Sequence, residues 1–134
     1  MDATKLSVGM QFRYSRQITL QDVQEFTKAS HDANIYHVQA DASGRVIAHG
    51  LLVASLITKI GGDLNFLART MTFDFQKPTY SGDTLTCTAT LSSLVEQTER
   101  TKCKFSFEIN NQKDEIVMIG EAAGMIRKHG SNEA

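Results

Sequence analysis

A carboxylate and an imidazole lie close together in the run Asp32-Ala33-Asn34-Ile35-Tyr36-His37, and a second imidazole, His49, is followed at once by Gly50. A carboxylate can orient and deprotonate a water, and an imidazole can exchange a proton at neutral pH. Gly50 opens the most apolar run of the chain, Leu51 to Ile60. Its amide therefore falls at the start of a buried helix, where N–H groups lack intrahelical partners and carry partial positive charge. Without a Cβ there, an oxygen can approach the amide closely. These parts suit acid–base chemistry beside a polarised carbonyl. Asn34 is read as support, hydrogen-bonding the loop or its neighbouring carboxylate, and His49 as a helix-start residue satisfied by backbone. A metal site built from His31, Asp32, His37 and His49 fits no common zinc spacing, and none is expected.

The elements that must position these groups follow from periodicity. Met10 to Ile18 alternates apolar and polar residues and predicts a first strand. Thr19 stands three residues before Asp22 as a capping box, and Leu20, Val23, Phe26 and Ala29 repeat at helical spacing, which predicts a helix ending near Ser30 or His31. Asp32 to His37 is then a loop or short turn, a common place for chemistry. Leu51 to Ile60 is apolar nearly all round and reads as a central helix that something must wrap, closed by Gly61-Gly62. From Met71 onward the period is two. Met71, Phe73 and Phe75 alternate with polar residues up to Lys77-Pro78, Ser81-Gly82-Asp83 is a turn, and Thr84 to Val95, Lys102 to Asn110 and Glu115 to Arg127 are strands. The last is apolar on both faces, so it belongs in the middle of a sheet or under another subunit. An α+β fold with a curved antiparallel sheet around one apolar helix satisfies this order with short connections.

Composition narrows the function. With 134 residues, 41% hydrophobic, the chain suits one compact domain, and a formal charge of −1 without a basic stripe argues against a nucleic-acid partner. No signal peptide or spanning segment is seen, so no membrane association and a cytoplasmic location are expected. The tail from about Lys128 to Ala134 is expected to be disordered. Cys87 and Cys103 lie on the apolar faces of two strands that would turn near Gln97 to Glu99. That hairpin sets Cys87 opposite about residue 109 rather than Cys103, so both thiols are expected buried and reduced. Arg69, Lys102 and Lys104 read as solvated strand faces rather than as phosphate ligands.

Four pieces in register resemble the MaoC-like (R)-specific enoyl-CoA hydratases, a hot-dog-fold family. They are Asp32-Ala33-Asn34-Ile35-Tyr36-His37 against Asp-x-Asn-Pro-x-His, Ile47-Ala48-His49-Gly50-Leu51-Leu52 against a His-Gly helix start, Met71 to Lys77 with Pro78, and Ser81-Gly82-Asp83-Thr84-Leu85 against a Gly-Asp turn. The likeness implies a single hot-dog domain over nearly the whole chain. It implies Asp32 and His37 as the acid–base pair and the Gly50 amide as the donor to a thioester oxygen. It further implies an acyl-CoA substrate without metal or redox cofactor, and a homodimer with the site near the subunit interface. Ile35 stands where the family usually has proline, and Gln39 where many relatives have an acid. The rival readings are a hot-dog thioesterase, which would want an acid on the central helix, and a non-catalytic acyl-thioester-binding domain.

Overall fold

The computed structural model describes residues 6–128, so the residues at either end that were read for targeting and for a disordered tail fall mostly outside it. The described chain runs β1 (Gln11–Gln17), α1 (Leu20–Ser30), α2 (Ile35–Val38), α3 (Gly50–Asp63), β2 (Phe66–Phe75), β3 (Thr84–Glu96), β4 (Arg100–Asn110) and β5 (Ile116–Arg127). The strands form one antiparallel sheet in the order β1-β3-β4-β5-β2. Helix α3 packs on β1 and β2, which lie at opposite edges of that sheet, and on β3. Only a curved sheet brings both edges to one helix. Register shifts at Ala68/Thr70, Leu91/Ser93 and Ile109/Asn110 supply local bends. This is the expected sheet around a buried helix, and β5 sits between β4 and β2 as its two-faced apolarity requires.

The core lies between α3 and the concave face. Leu56 of the helix and Leu85, Leu91, Ile109 and Met118 of the sheet have essentially no solvent exposure. Burying a side chain of this size contributes roughly 1.5–3 kcal/mol. Cys87 pairs with Ile109 and Cys103 with Leu94, so both thiols are free and buried, and burial pushes the Cys87 thiol up to about 12. The convex face is polar, with Thr86, Thr88 and Thr90 of β3 beside Asn110, Glu108 and Ser106 of β4. Gly120 and Gly124 of β5 sit under the neighbouring backbone. A Cβ at Gly120 would collide with the Thr72 carbonyl and the Phe107 ring, and one at Gly124 with the Leu67 carbonyl. No helix among the described residues is long and apolar enough to cross a membrane.

Three boundaries differ from the sequence reading. Helix α3 continues through Gly61-Gly62 to Asp63, because Lys59 Nζ holds Asp63 Oδ2 at 2.6 Å across the last turn and Ile60 and Leu64 remain buried. The chain turns instead at Asn65, whose φ of 55° is left-handed. Strand β2 begins at Phe66 rather than Met71, and part of the loop after α1 forms the short helix α2.

Candidate active site

The site grows out of the end of α1. The Thr19–Asp22 capping box starts that helix, and His31 ends it in the left-handed conformation (φ 64°), its N–H bonded to the Thr27 carbonyl. Ser30 Oγ then accepts the Asp32 N–H at 3.0 Å, and Asp32 Oδ1 accepts the Asn34 N–H at 3.2 Å. Asn34 in turn caps α2, its Oδ1 taking the Tyr36 N–H at 3.1 Å. Asn34 thus supports the carboxylate through its backbone and the next helix through its side chain. Ile35 occupies the first position of α2, where a proline would be well suited. In this chain the Asn34 cap fixes the turn that the ring would otherwise restrict.

His37 lies on α2, three residues past that cap. Its Nδ1 stands 2.7 Å from the Ile47 carbonyl oxygen, and a carbonyl can only accept, so Nδ1 carries the proton and donates. In the neutral ring Nε2 is then the bare nitrogen, 3.8 Å from Asp32 Oδ2. The His37 side chain is 14% exposed and that of Asp32 52%. The pair therefore opens to solvent through the carboxylate, while the imidazole is gripped from behind.

His49 has the opposite tautomer. Its Nε2 is 2.9 Å from the Asp32 carbonyl oxygen and 3.2 Å from Thr27 Oγ1, so Nε2 bears the proton and Nδ1 the lone pair when the ring is neutral. The ring is buried and stacks on His37 with centroids 3.8 Å apart and planes 23° from parallel. Phe26 lies on it at 4.8 Å. His49 is the N-cap residue of α3 without a side-chain capping bond. Its Nε2 is held by a backbone carbonyl, that of Asp32, so the residue ties the α3 start to the Asp32 loop. Asp32, His37 and His49 offer ligand atoms within 4.8 Å of one another although their spacing fits no common zinc pattern, whereas His31 stands outside the group. Each ring already commits one nitrogen to a backbone carbonyl.

Gly50 is the first residue of α3. The first intrahelical bonds are made by the Leu52 and Val53 N–H groups to the His49 carbonyl, which leaves the Gly50 amide ahead of the ladder. The absent Cβ matters here because one would meet Phe75 Cε1 at 2.5 Å. The glycine admits the Phe75 ring of β2, a contact the sequence did not signal. Asp32, His37, His49, Gly50 and Phe75 all line one cleft of about 660 Å³, whose other walls include Val53, Val117 and Met118. Thr79 also lines it and was not foreseen. Its place just after Lys77-Pro78, beyond the end of β2, carries no signal that the residue is buried against the cleft.

This arrangement sets two proton-accepting groups beside a helix N-terminus in a largely apolar cleft. It can hold a water against an acceptor pair and polarise a carbonyl oxygen within the same space.

Comparison with known proteins shows the family of the chain. The MaoC like domain profile matches residues 3–112. The chain is 28% identical over 135 residues to an (R)-specific enoyl-CoA hydratase of Rhodospirillum rubrum, covering 91% of this chain and 89% of the relative. It is 26% identical over 131 residues to a mitochondrial 3-hydroxyacyl-[acyl-carrier-protein] dehydratase of Arabidopsis thaliana, covering 92% and 79%. Among solved structures, the (R)-hydratase from A. caviae involved in PHA biosynthesis superposes with a TM-score of 0.81 at 26% identity, over 92% of this chain and 99% of that one.

Proposed function

The chain belongs to the MaoC-like domain family, and from that premise we propose that it is an (R)-specific 2-enoyl-CoA hydratase, reversibly adding water to trans-2-enoyl-CoA to give the (R)-3-hydroxyacyl thioester. The observation that carries the reading is the approach of Asp32 Oδ2 and bare His37 Nε2 to 3.8 Å in the cleft that Gly50, at the start of α3, also lines. At that separation the two groups do not bond directly, but one water can donate a proton to each.

In the hydration direction the water oxygen bonds to C3 as the C2–C3 π bond breaks, and its electron pair moves through C2 toward the thioester oxygen. The proton leaving the water goes to the Asp32–His37 pair, and a proton from that pair reaches C2. Both additions come from one side of the double bond. The Gly50 amide meets the negative charge developing on the thioester oxygen, a role worth roughly 2.7–4 kcal/mol in measured oxyanion holes. His49 keeps the His37 ring in plane and the Asp32 loop at its distance, and Asn34 holds the carboxylate. No redox or metal chemistry enters these steps.

The same reading includes a homodimer. Strand β2 is an edge, with Leu67 and Phe75 more than half exposed, and the cleft continues along its end through Gln76 and Lys77. Joining two such edges would hide these side chains and close the cleft with a second copy. Light scattering on the full chain should return twice the 14.8 kDa chain mass.

The deciding experiment follows crotonyl-CoA by loss of enoyl absorbance and by release of free thiol. Absorbance loss without thiol is the expected result. Thiol release would mean a thioesterase, and thioester binding with neither change a non-catalytic domain. The enantiomer of the product, read by chiral chromatography, tests the (R) assignment. Crotonyl-CoA against a crotonyl carrier protein reads which acyl carrier is preferred.

A further inference from the structure

Thr79 is 3% exposed, and its Oγ1 is one of two buried polar side-chain atoms without a hydrogen-bond partner among the described residues. The other is His49 Nδ1, which carries a lone pair in the tautomer fixed by Asp32 and cannot donate. Thr79 is therefore a buried, uncommitted donor. A hydroxyl in this state costs stability relative to an isosteric valine, so its presence calls for an acceptor, and none of the described residues offers one within hydrogen-bond distance. Hydroxyls on the neighbouring segments have hydrogen-bond partners. Thr27 donates to the Val23 carbonyl at 2.9 Å, Ser30 to the Phe26 carbonyl at 2.7 Å, and Ser81 Oγ accepts the Val46 N–H at 3.0 Å.

The backbone beside Thr79 fixes its position. Its carbonyl accepts the Ala48 N–H at 2.8 Å, Ile47 bridges to Tyr80, and the Ser81 N–H donates to the Val46 carbonyl at 2.8 Å. Residues 79–81 are thus zipped to 46–48, the segment that leads directly into His49 and Gly50. Thr79 is one of the residues lining the cleft, on the backbone adjoining the helix start.

We propose that Thr79 is a substrate-contacting residue whose hydroxyl donates a hydrogen bond to a carbonyl oxygen of the acyl thioester in the cleft. The proposal rests on the thioester reading above. An acyl-pantetheine thioester presents such oxygens at its reacting carbonyl and at the amides of its arm, and both are pure acceptors that match a lone donor.

The test compares hydration of crotonyl-CoA by the full chain, Thr79→Val and Thr79→Ser, with a thermal melt of each. Thr79→Val should lose at least about tenfold in kcat/KM while melting at or above the parent, and Thr79→Ser should stay within about threefold of it. A fall in kcat assigns the bond to the reacting carbonyl, and a rise in KM alone assigns it to an amide of the arm. Unchanged kcat and KM in Thr79→Val overturns the proposal, as does an equal loss in Thr79→Ser, since the hydroxyl that serine retains would then not be the determinant. Should Thr79→Val not fold, Thr79→Ala against Thr79→Ser gives the same comparison. Calorimetric binding of butyryl-CoA separates the two levels. A parent chain that neither hydrates nor binds thioester removes the hydratase reading and the Thr79 contact together. An active parent with an indifferent Thr79→Val removes only the contact.

Discussion

The two walls of the cleft are built on opposite terms. One is the segment from Ser30 to Val38, short and largely exposed, held by a relay of single hydrogen bonds from Ser30 through Asp32 and Asn34 to Tyr36. The other is α3, which presents Gly50 and Val53 to the cleft and buries Leu52, Leu56, Ile57 and Ile60 behind them. The first wall carries proton-transferring groups at little cost to folding, because its side chains bury little apolar area. The second carries most of the packing and offers the chemistry only a backbone amide. Activity and stability should therefore come apart by wall, and His49, bonded to one and capping the other, is where they join.

The sharpest break is expected on the exposed wall. Asp32→Asn and His37→Gln should each lower turnover at least about 10²-fold while the melting temperature barely moves. Near-normal hydration by either variant would remove that residue from the proposed mechanism. On the packed wall, Leu56→Ala should destabilise by about 2–5 kcal/mol in urea unfolding, yet leave kcat nearly intact under conditions where the chain remains folded. A large loss of turnover in folded Leu56→Ala would mean that the helix tunes the chemistry more directly than its packing suggests.

A smaller effect sharpens the account of what anchors the first wall. Burial raises the Asp22 carboxyl, but the Thr19 backbone N–H bond and the Arg16 guanidinium outweigh it, and its pKa ends below the ordinary value. A carboxyl depressed in the folded state contributes stability that is present above the ordinary carboxylate value and lost as pH falls through the folded one. Thr19→Ala should cost about 1 kcal/mol at neutral pH. Asp22→Asn should lose its deficit relative to the parent as the medium becomes strongly acidic, which denaturant titrations at several pH values would read. Least of all should change at the cysteines. With the Cys87 thiol pushed up to about 12 by burial and Cys103 also raised, neither should react with a disulfide reagent at neutral pH until the sheet unfolds. Prompt labelling of the native chain would contradict the packing of β3 on β4.

Much of this was legible in the sequence where one local rule dominated. The capping box at Thr19 and Asp22 set the start of α1, and a hairpin turning near Gln97 to Glu99 placed Cys87 opposite about residue 109. The end of α3 was misread because a glycine pair is a weak stop when Lys59 and Asp63 clasp the last turn and Leu64 is drawn into the core. At the site, spacing brought Asp32, His37 and Gly50 into consideration. It could not show that His49 lies flat on His37 or that Phe75 fills the place of a Cβ at Gly50, since both contacts join segments with no shared periodicity. Thr79 escaped for a similar reason, because nothing in a lone threonine after proline tells which way it faces.

The two glycines of β5 carry a consequence for how this chain can vary. With the Thr72 carbonyl against one and the Leu67 carbonyl against the other, neither position has room even for a methyl group, and the obstruction is main chain that no rotamer change can relieve. A saturation library selected for folded protein should return glycine at 120 and 124 almost alone, while the threonines on the convex face drift freely through other small polar residues. The chain would tolerate novelty on the outside of its sheet and refuse it along a single interior seam.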